Sequence, residues 1–459
     1  MGAPQDQVGT APAAPRPAVP RPRRRALLRA LLVAIGALLL LVLLDQLGIR
    51  RLSGADFPPR DPLGQAMRAQ VERLAAPAWG GRVPGTPGNA EAARYLAAEL
   101  EAAGVAPLPS LGGYLAPLPR PTSGVPLGDN VIGYLPATEA ATEAATEAAT
   151  EAAPGGAPAG EPGAIVLGAH FDHLGETPEG LLLGADDNAS AVAVLLGAAR
   201  ALRERPRRRP VIVIFFNTEE APYFGSQVQG SRAFLRALPA EIGDPSAIRL
   251  AVVLDLIGGV VWRHSTETIF ACGAEKAAGL PAIVDGVREP GLDVRRLGIH
   301  MVENIPGYRP QAFSDYDVFR DRGVPFLFLS SGRTPRYHRA TDLPDTLHYD
   351  RMAGTARWIA ALVARVDVEE RPFAFAAQGE DLAADAATMR WALDASASPL
   401  RAVPGTSPIT AFRLLGDRAR VDALQGPGHA FTAEDARALE RASFRLQCLL
   451  YAYPVCFTL

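Results

Sequence analysis

The sequence predicts a three-layer αβα sandwich on a mostly parallel, mixed central sheet, preceded by one N-terminal transmembrane helix. Three observations carry this. From residue 164 to about 367, apolar runs of strand length alternate with helical stretches, the pattern of an α/β domain. Four of these runs, 165–167, 211–216, 250–254 and 324–329, are continuously apolar, as expected of strands covered on both faces. Near the N-terminus, residues 26–45 form a mostly apolar stretch of about the length that spans a bilayer.

Taken in order, residues 3–20 are rich in Ala and Pro, a composition that buries too little to fold. Arg21 and Arg23 to Arg25 then precede the apolar run. By the positive-inside rule residues 1–25 form a basic cytoplasmic tail, 26–45 an anchor with Arg29 snorkelling at its edge, and the rest lies outside. A cleaved signal peptide would end in a small-x-small site. This run ends Leu43-Leu44-Asp45-Gln46, so an uncleaved anchor is expected.

Residues 46–64 read as a linker. Residues 65–74 place Met67, Val71 and Leu74 on one helical face. The Gly- and Pro-rich stretch 80–88 is a loop, and Asn89 can cap a helix running to Ala103 before Gly104. Residues 131–135 form a short strand. Thr-Glu-Ala-Ala then recurs at Thr138, Thr142, Thr146 and Thr150, with no apolar face to bury. Residues 137–163 are therefore a solvated insert, expected at the tip of a hairpin joining 131–135 to 164–168. Further helices are expected at 189–203, 231–238, 280–289 and 351–366. The α/β domain would span 65–367. Residues 368–459 are a mostly helical extension with one clear helix at 433–452, where Thr432 can cap.

Composition narrows the function. A net charge of −3 gives no bulk electrostatic case for nucleic-acid binding. The three cysteines, Cys272, Cys448 and Cys456, are too few for a disulfide framework, and the lack of C-x-x-C argues against a thiolate zinc site. Cys448 and Cys456 are close enough in sequence to pair in an oxidising compartment.

Each buried strand leads into groups that bind metals. The first ends His170-Phe171-Asp172, the second runs into Asn217-Thr218-Glu219-Glu220, the third into Asp255, and the fourth toward Tyr337-His338. Asp186 and Asp187 lie just before a helix, with no Lys or Arg close in sequence. Taken singly these have ordinary explanations, since Asp-Asp-Asn caps helices and Glu-Glu sits in turns. Together they deliver histidines and carboxylates to the carboxyl edge of one sheet, where open α/β folds bind ligands. Two histidines and three carboxylates exceed what one catalytic zinc takes, and two metals sharing a bridging carboxylate account for the set.

As an ordered set the segments 168–175, 184–191, 217–220, 254–255 and 337–338 resemble the M28 family of zinc peptidases, the aminopeptidase and glutamate-carboxypeptidase-like group. Residues 85–88, 130–133 and 314–319 fit as well, although the family often has His where Tyr316 stands. The resemblance implies two cocatalytic Zn²⁺ ions and a peptide substrate. His170 and Asp255 would bind one zinc, Glu220 and His338 the other. Asp186 would bridge them, in a peptide bond to Asp187 that the family often holds cis. Glu219 would be the general base, Asp172 would orient His170, and Asp187 would support from behind. Ala191 stands where Gly is usual, and the chain after Glu220 is longer than in many aminopeptidases, so substrate preference is expected to differ. The implied function is a membrane-anchored exopeptidase, foremost an aminopeptidase. A carboxypeptidase or dipeptidase, a glutaminyl-cyclase-like acyltransferase and a non-catalytic domain of the same fold are the alternatives.

Overall fold

The computed structural model describes residues 28–29, 31–40, 56–122, 124–138, 163–260, 265–306, 308–396 and 408–448. Residues 31–40 are helical with exposed side chains. Among the described residues no helix is long and apolar enough to cross a membrane, and the rest of the expected span lies outside them. So do most of the insert and Cys456; Cys448 is disulfide-bonded.

The chain folds around a mixed sheet of nine strands among the described residues. In chain order these are β1 (Ala106–Pro107), β2 (Leu115–Pro117), β3 (Asp129–Leu135) and β4 (Ala164–His170). The short pair β5 (Gly175–Thr177) and β6 (Gly180–Leu182) stands apart, and the sheet continues with β7 (Val211–Phe216), β8 (Ile248–Leu254), β9 (Thr268–Cys272), β10 (Asp293–Leu297) and β11 (Phe326–Ser330). The order across the sheet is β1-β3-β7-β4-β8-β11-β9-β10, with β2 on β3. The central four, β7, β4, β8 and β11, are mutually parallel. The β3 strand runs antiparallel to β7, and β9 antiparallel to β11.

The expected hairpin between 131–135 and 164–168 does not form, because β7 lies between β3 and β4. The seven residues of β4 are all buried. A strand of that kind is satisfied in mid-sheet, and here it pairs with β7 and β8.

Alternation along the strands sends side chains to two faces. Ile165, Leu167, Val213, Phe215, Val252 and Leu254 pack in one cluster with α1 (Pro62–Leu74), α2 (Pro87–Ala102), α3 (Ala191–Arg203) and α8 (Tyr349–Asp367). Val166, Ile212, Ile214, Ala251 and Val253 pack on the other face with Phe234 of α4 (Gly230–Arg236) and Phe319 of α7 (Asp317–Asp321). Both sheet faces therefore carry helices. Two short helices, α5 (Leu280–Gly286) and α6 (His300–Glu303), flank β10.

Helix starts follow local chemistry. Asp61 accepts from Leu63 N at 2.9 Å, and Pro62 opens α1. At α2 the cap is Thr86, which accepts from Asn89 N at 3.3 Å, with Pro87 in the first turn. Asn89 was the expected cap. Its side chain is instead drawn inward, donating to Arg82 O at 2.8 Å and Asn217 Oδ1 at 3.0 Å.

The C-terminal region holds three described helices rather than one: α9 (Leu382–Ser396), α10 (Pro408–Leu424) and α11 (Ala433–Cys448). The first is rich in Ala, and both α9 and α10 carry weak apolar periodicity. Their small buried faces become visible only when the three pack together, through Met389, Leu393, Leu414, Leu439 and Leu446.

Candidate metal centre

The β4, β7, β8 and β11 strands end at the same edge, with His170 opposite Phe216, and Leu329 opposite Leu254. This register brings His170, Glu219, Glu220 and Asp255 together at the carboxyl ends. The segment Ala185–Ser190 then crosses that edge before α3. Gly184 makes the entry possible. Its φ is +59°, and a Cβ there would lie 2.1 Å from Asp187 O, so a side chain is excluded.

The two adjacent aspartates face different ways. Asp186 Oδ1 accepts from Gly258 N at 2.8 Å, Gly259 N at 2.9 Å and Ser190 Oγ at 3.1 Å. It ties the loop after β8 to the start of α3. Asp187 stands in the centre. Its Oδ1 lies 3.4 Å from His170 Nε2, and its Oδ2 lies 3.0 Å from His338 Nε2. Asp187, and not Asp186, therefore stands between the two histidines. Asp186 already spends one oxygen on three donors of the neighbouring loop. The cis peptide is correspondingly one bond later, at Asp187–Asn188.

Two groups of donor atoms result, each within 4.8 Å: His170, Asp187 and Asp255, and His173, Asp187 and Glu220. Asp187 belongs to both. In the first, Asp255 Oδ1 is 3.6 Å from His170 Nε2. Beside the second, His338 Nε2 is 3.3 Å from Glu220 Oε2. Two ligand atoms on one tetrahedral zinc are separated by roughly 3.3 Å, given bonds of about 2.0–2.1 Å, and these spacings match. Asp186 Oδ2, Asp187 Oδ2, Asp255 Oδ1, His173 Nε2 and His338 Nε2 have no hydrogen-bond partner. Buried polar atoms of this kind need a partner, which bound cations would supply to Asp187, Asp255 and His338.

The supports are equally specific. Asp172 Oδ1 accepts from Glu219 N at 3.1 Å and Oδ2 from Glu220 N at 3.2 Å, so its carboxylate sets the Glu219–Glu220 backbone. Its Oδ1 is 3.7 Å from His170 Nδ1, whereas its own backbone O is at 3.2 Å. Asp342 accepts from Asp186 N at 2.8 Å and Asp187 N at 3.1 Å. Arg82, fully buried, donates to Phe171 O at 2.5 Å, Leu74 O at 2.7 Å, Leu183 O at 2.8 Å and Gly184 O at 2.9 Å. Thr218, Leu256 and His338 have φ of +60°, +55° and +55°. Three non-glycine residues in this region border or form the site, and such strain gathers at functional sites.

The electrostatics follow from the crowding of carboxylates. Burial would raise the Asp187 carboxyl, but the neighbouring His170 and His338 rings outweigh it and hold it well below the usual range. Glu219 has no such rescue. Burial pushes it well above the usual carboxylate range, with Asp315, Glu220 and Asp255 adding to the effect against His170. Burial, reinforced by Asp342, pushes Asp186 up to about 7.

All seven residues singled out from the sequence, His170, Asp172, Asp186, Glu219, Glu220, Asp255 and His338, lie at this one edge. Asp187, placed behind the site, proves central to it. His173 was overlooked although His170-x-Asp172-His173 offers it. Its Nδ1 lies 2.7 Å from Glu220 Oε1, a hydrogen-bond distance. Asp342 and Arg82 carried no motif that marks a carboxylate holding amides or a guanidinium holding carbonyls.

The family described as Peptidase family M28 matches residues 152–363. The resemblance read from the sequence is therefore found over those residues, which contain every site residue named here except Arg82. A protein of Escherichia coli (strain K12), described as uncharacterized protein YfbL, is 26% identical over 220 residues, 43% of this chain and 66% of its own length. Among solved structures, the LapA aminopeptidase of Legionella pneumophila is 16% identical with TM-score 0.47, covering 67% of this chain and 73% of that one. A Zn-dependent exopeptidase of Parabacteroides distasonis is 18% identical with TM-score 0.45, covering 67% and 98%. The glutaminyl cyclase of Porphyromonas gingivalis is 20% identical with TM-score 0.47, covering 66% and 99%. At these scores the likenesses assign no role to any residue.

Proposed function

We propose that the protein is a dinuclear zinc exopeptidase, foremost an aminopeptidase, held at a membrane by residues 26–45. The observation that carries the two-metal reading is Asp187, whose two oxygens face separate donor sets 3.4 Å and 3.0 Å away. His170, Asp187 Oδ1 and Asp255 would hold one zinc; Asp187 Oδ2, Glu220 and His338 the other. His173, bonded to Glu220, steadies that ligand. Such a pair, when bound, polarises a scissile carbonyl and acidifies water.

The chain's own residues then act in named positions. Glu219 Oε2 lies 3.8 Å from His170 Nε2, beside both donor sets and in neither. It is placed to take a proton from the attacking water and pass it to the leaving amine. Asp172 fixes Glu219 and Glu220 together through their amides, so base and ligand keep one spacing. The aminopeptidase reading is supported by the M28 resemblance over residues 152–363.

One observation favours the second reading, attack at the C-terminal end. Arg333 lies 4.7 Å over the Tyr337 ring and lines a cavity that reaches Asp255, where it can meet a carboxylate. The test is a zinc-reconstituted assay with free-amine aminoacyl, N-blocked and C-terminal peptide reporters, alongside a metal count. Cleavage of free-amine reporters at two zinc ions per chain is expected. Cleavage of N-blocked substrates alone would refute the aminopeptidase assignment, and cyclisation of Gln-initial peptides without hydrolysis would refute both. Membrane anchoring is tested by fractionation: the full chain should stay with membranes through a high-salt wash, and a chain beginning at residue 46 should not.

A further inference from the structure

Next to Asp255 lies a cavity of about 150 Å³ with mostly apolar walls. Asp255, Leu256 and Tyr337 line it beside the proposed metal-binding groups, with Phe270 and Phe328 of the sheet and Arg333. Part of its wall comes from α9 and α11, through Met389, Trp391, Ala392 and Leu446. Those helices lie beyond residue 363, outside the family match.

The helices are fixed to the sheet, so the wall is part of the fold. Asp385 accepts from Gly298 N at 2.5 Å and lies 3.0 Å from His300 Nε2. Glu440 meets the other ring nitrogen of His300 at 2.9 Å. Thr388 Oγ1 donates to Arg296 O at 2.6 Å, and Ser443 Oγ to Met301 O at 2.7 Å. The Trp391 ring meets Phe270 edge-on at 6.1 Å, and the Arg295 guanidinium covers it at 4.4 Å.

We propose that α9 and α11 complete the pocket for an apolar substrate side chain beside Asp255, which makes the C-terminal extension a specificity element of the site. This rests on the hydrolase reading. A mostly apolar cavity of about 150 Å³ is large enough for a benzene-sized group. The matching substrate residue is Leu or Phe, whose side chains the apolar walls can bury without a polar partner. Ala392 controls the depth, since a larger residue there enters the cavity, and Trp391 controls the width.

The test compares Ala392→Phe and Trp391→Ala with the full wild-type chain. Isothermal titration with L-leucine, L-phenylalanine and glycine reads the pocket without turnover. Steady-state kinetics on Ala, Leu, Phe and Glu reporters read it with turnover. In the wild type, phenylalanine and leucine should bind more tightly than glycine. A392F should weaken both by at least about tenfold and lower the Phe-over-Ala ratio of kcat/KM as much. Should A392F not fold, W391A decides: the Phe-over-Leu ratio should move by about tenfold. Equal losses on every reporter, or unchanged ratios, overturn the proposal. Binding of phenylalanine without cleavage of any peptide would sink the hydrolase reading and leave the pocket standing. Cleavage without apolar preference would do the reverse.

Discussion

Asp186 and Asp187 are adjacent in the chain and serve different partners, Asp186 the amides of Gly258 and Gly259, Asp187 the ring nitrogens of His170 and His338. Their substitutions should therefore separate. Asp187→Asn should lose both metals in a chelator competition and lower kcat by more than about 100-fold. Asp186→Asn should keep two metals per chain, and lose about 1–3 kcal/mol of stability from weakened buried hydrogen bonds. Loss of both metals in D186N with retention in D187N would return the bridge to Asp186.

Glu219 and Glu220 are neighbours held by one carboxylate, Asp172. Glu219→Gln keeps the shape and removes the proton acceptor. It should retain two metals and lose about 10²–10⁴ in kcat, with KM little changed. Glu220→Gln should lose metal as well. Full turnover in E219Q at normal metal content would remove Glu219 from the chemistry.

Much of this was legible from residues. The continuous apolar runs gave away the central strands, because a strand buried on both faces has no polar alternation to hide in. The groups following those runs identified the site edge, because strand ends in a parallel sheet converge. What could not be read was direction within the Asp186–Asp187 pair. Both are carboxylates of equal reach, and the choice depends on backbone turns at Gly184 and on Asp342, which is 155 residues from Asp187. Pairing of β3 with β7 was hidden for a similar reason, since hairpin logic uses nearness in sequence and the chain joins these two only after the insert, β4 and α3. In α9 and α10 the apolar faces are too small to announce themselves singly.

Arg82 carries no charge partner at hydrogen-bond distance among the described residues; it donates to four backbone carbonyls drawn from three segments. Burial pulls its pKa down to about 10, still high enough to stay charged at neutral pH. Arg82→Met should leave those carbonyls unpaired at about 1–3 kcal/mol each where water cannot enter. A loss of about 3–5 kcal/mol in urea unfolding is expected, together with weaker zinc binding, because Phe171 and Gly184 adjoin the ligand segments. Arg82→Lys should recover only part, since one ammonium cannot match the geometry of a fork. An R82M protein of wild-type stability would show that the four contacts contribute nothing.

His300 joins β10 and α6 to the C-terminal helices, between Asp385 and Glu440. Burial works against its charge, but the hydrogen bonds to both carboxylates outweigh that and raise it to about 10. The folded value lies above the ordinary histidine value of about 6.5. Its contribution is therefore fully present below about pH 6.5 and is lost as pH rises through about 10. His300→Gln should cost about 2 kcal/mol at pH 6, the scale of charge-assisted hydrogen bonds. The gap between wild type and H300Q should narrow steadily toward pH 10. Comparing the two proteins at each pH cancels other titrating groups. If α9 and α11 form the pocket wall, the same pH rise should loosen phenylalanine binding in the wild type more than glycine binding. A gap that stays constant from pH 6 to pH 10 would mean that His300 is held neutral in the fold.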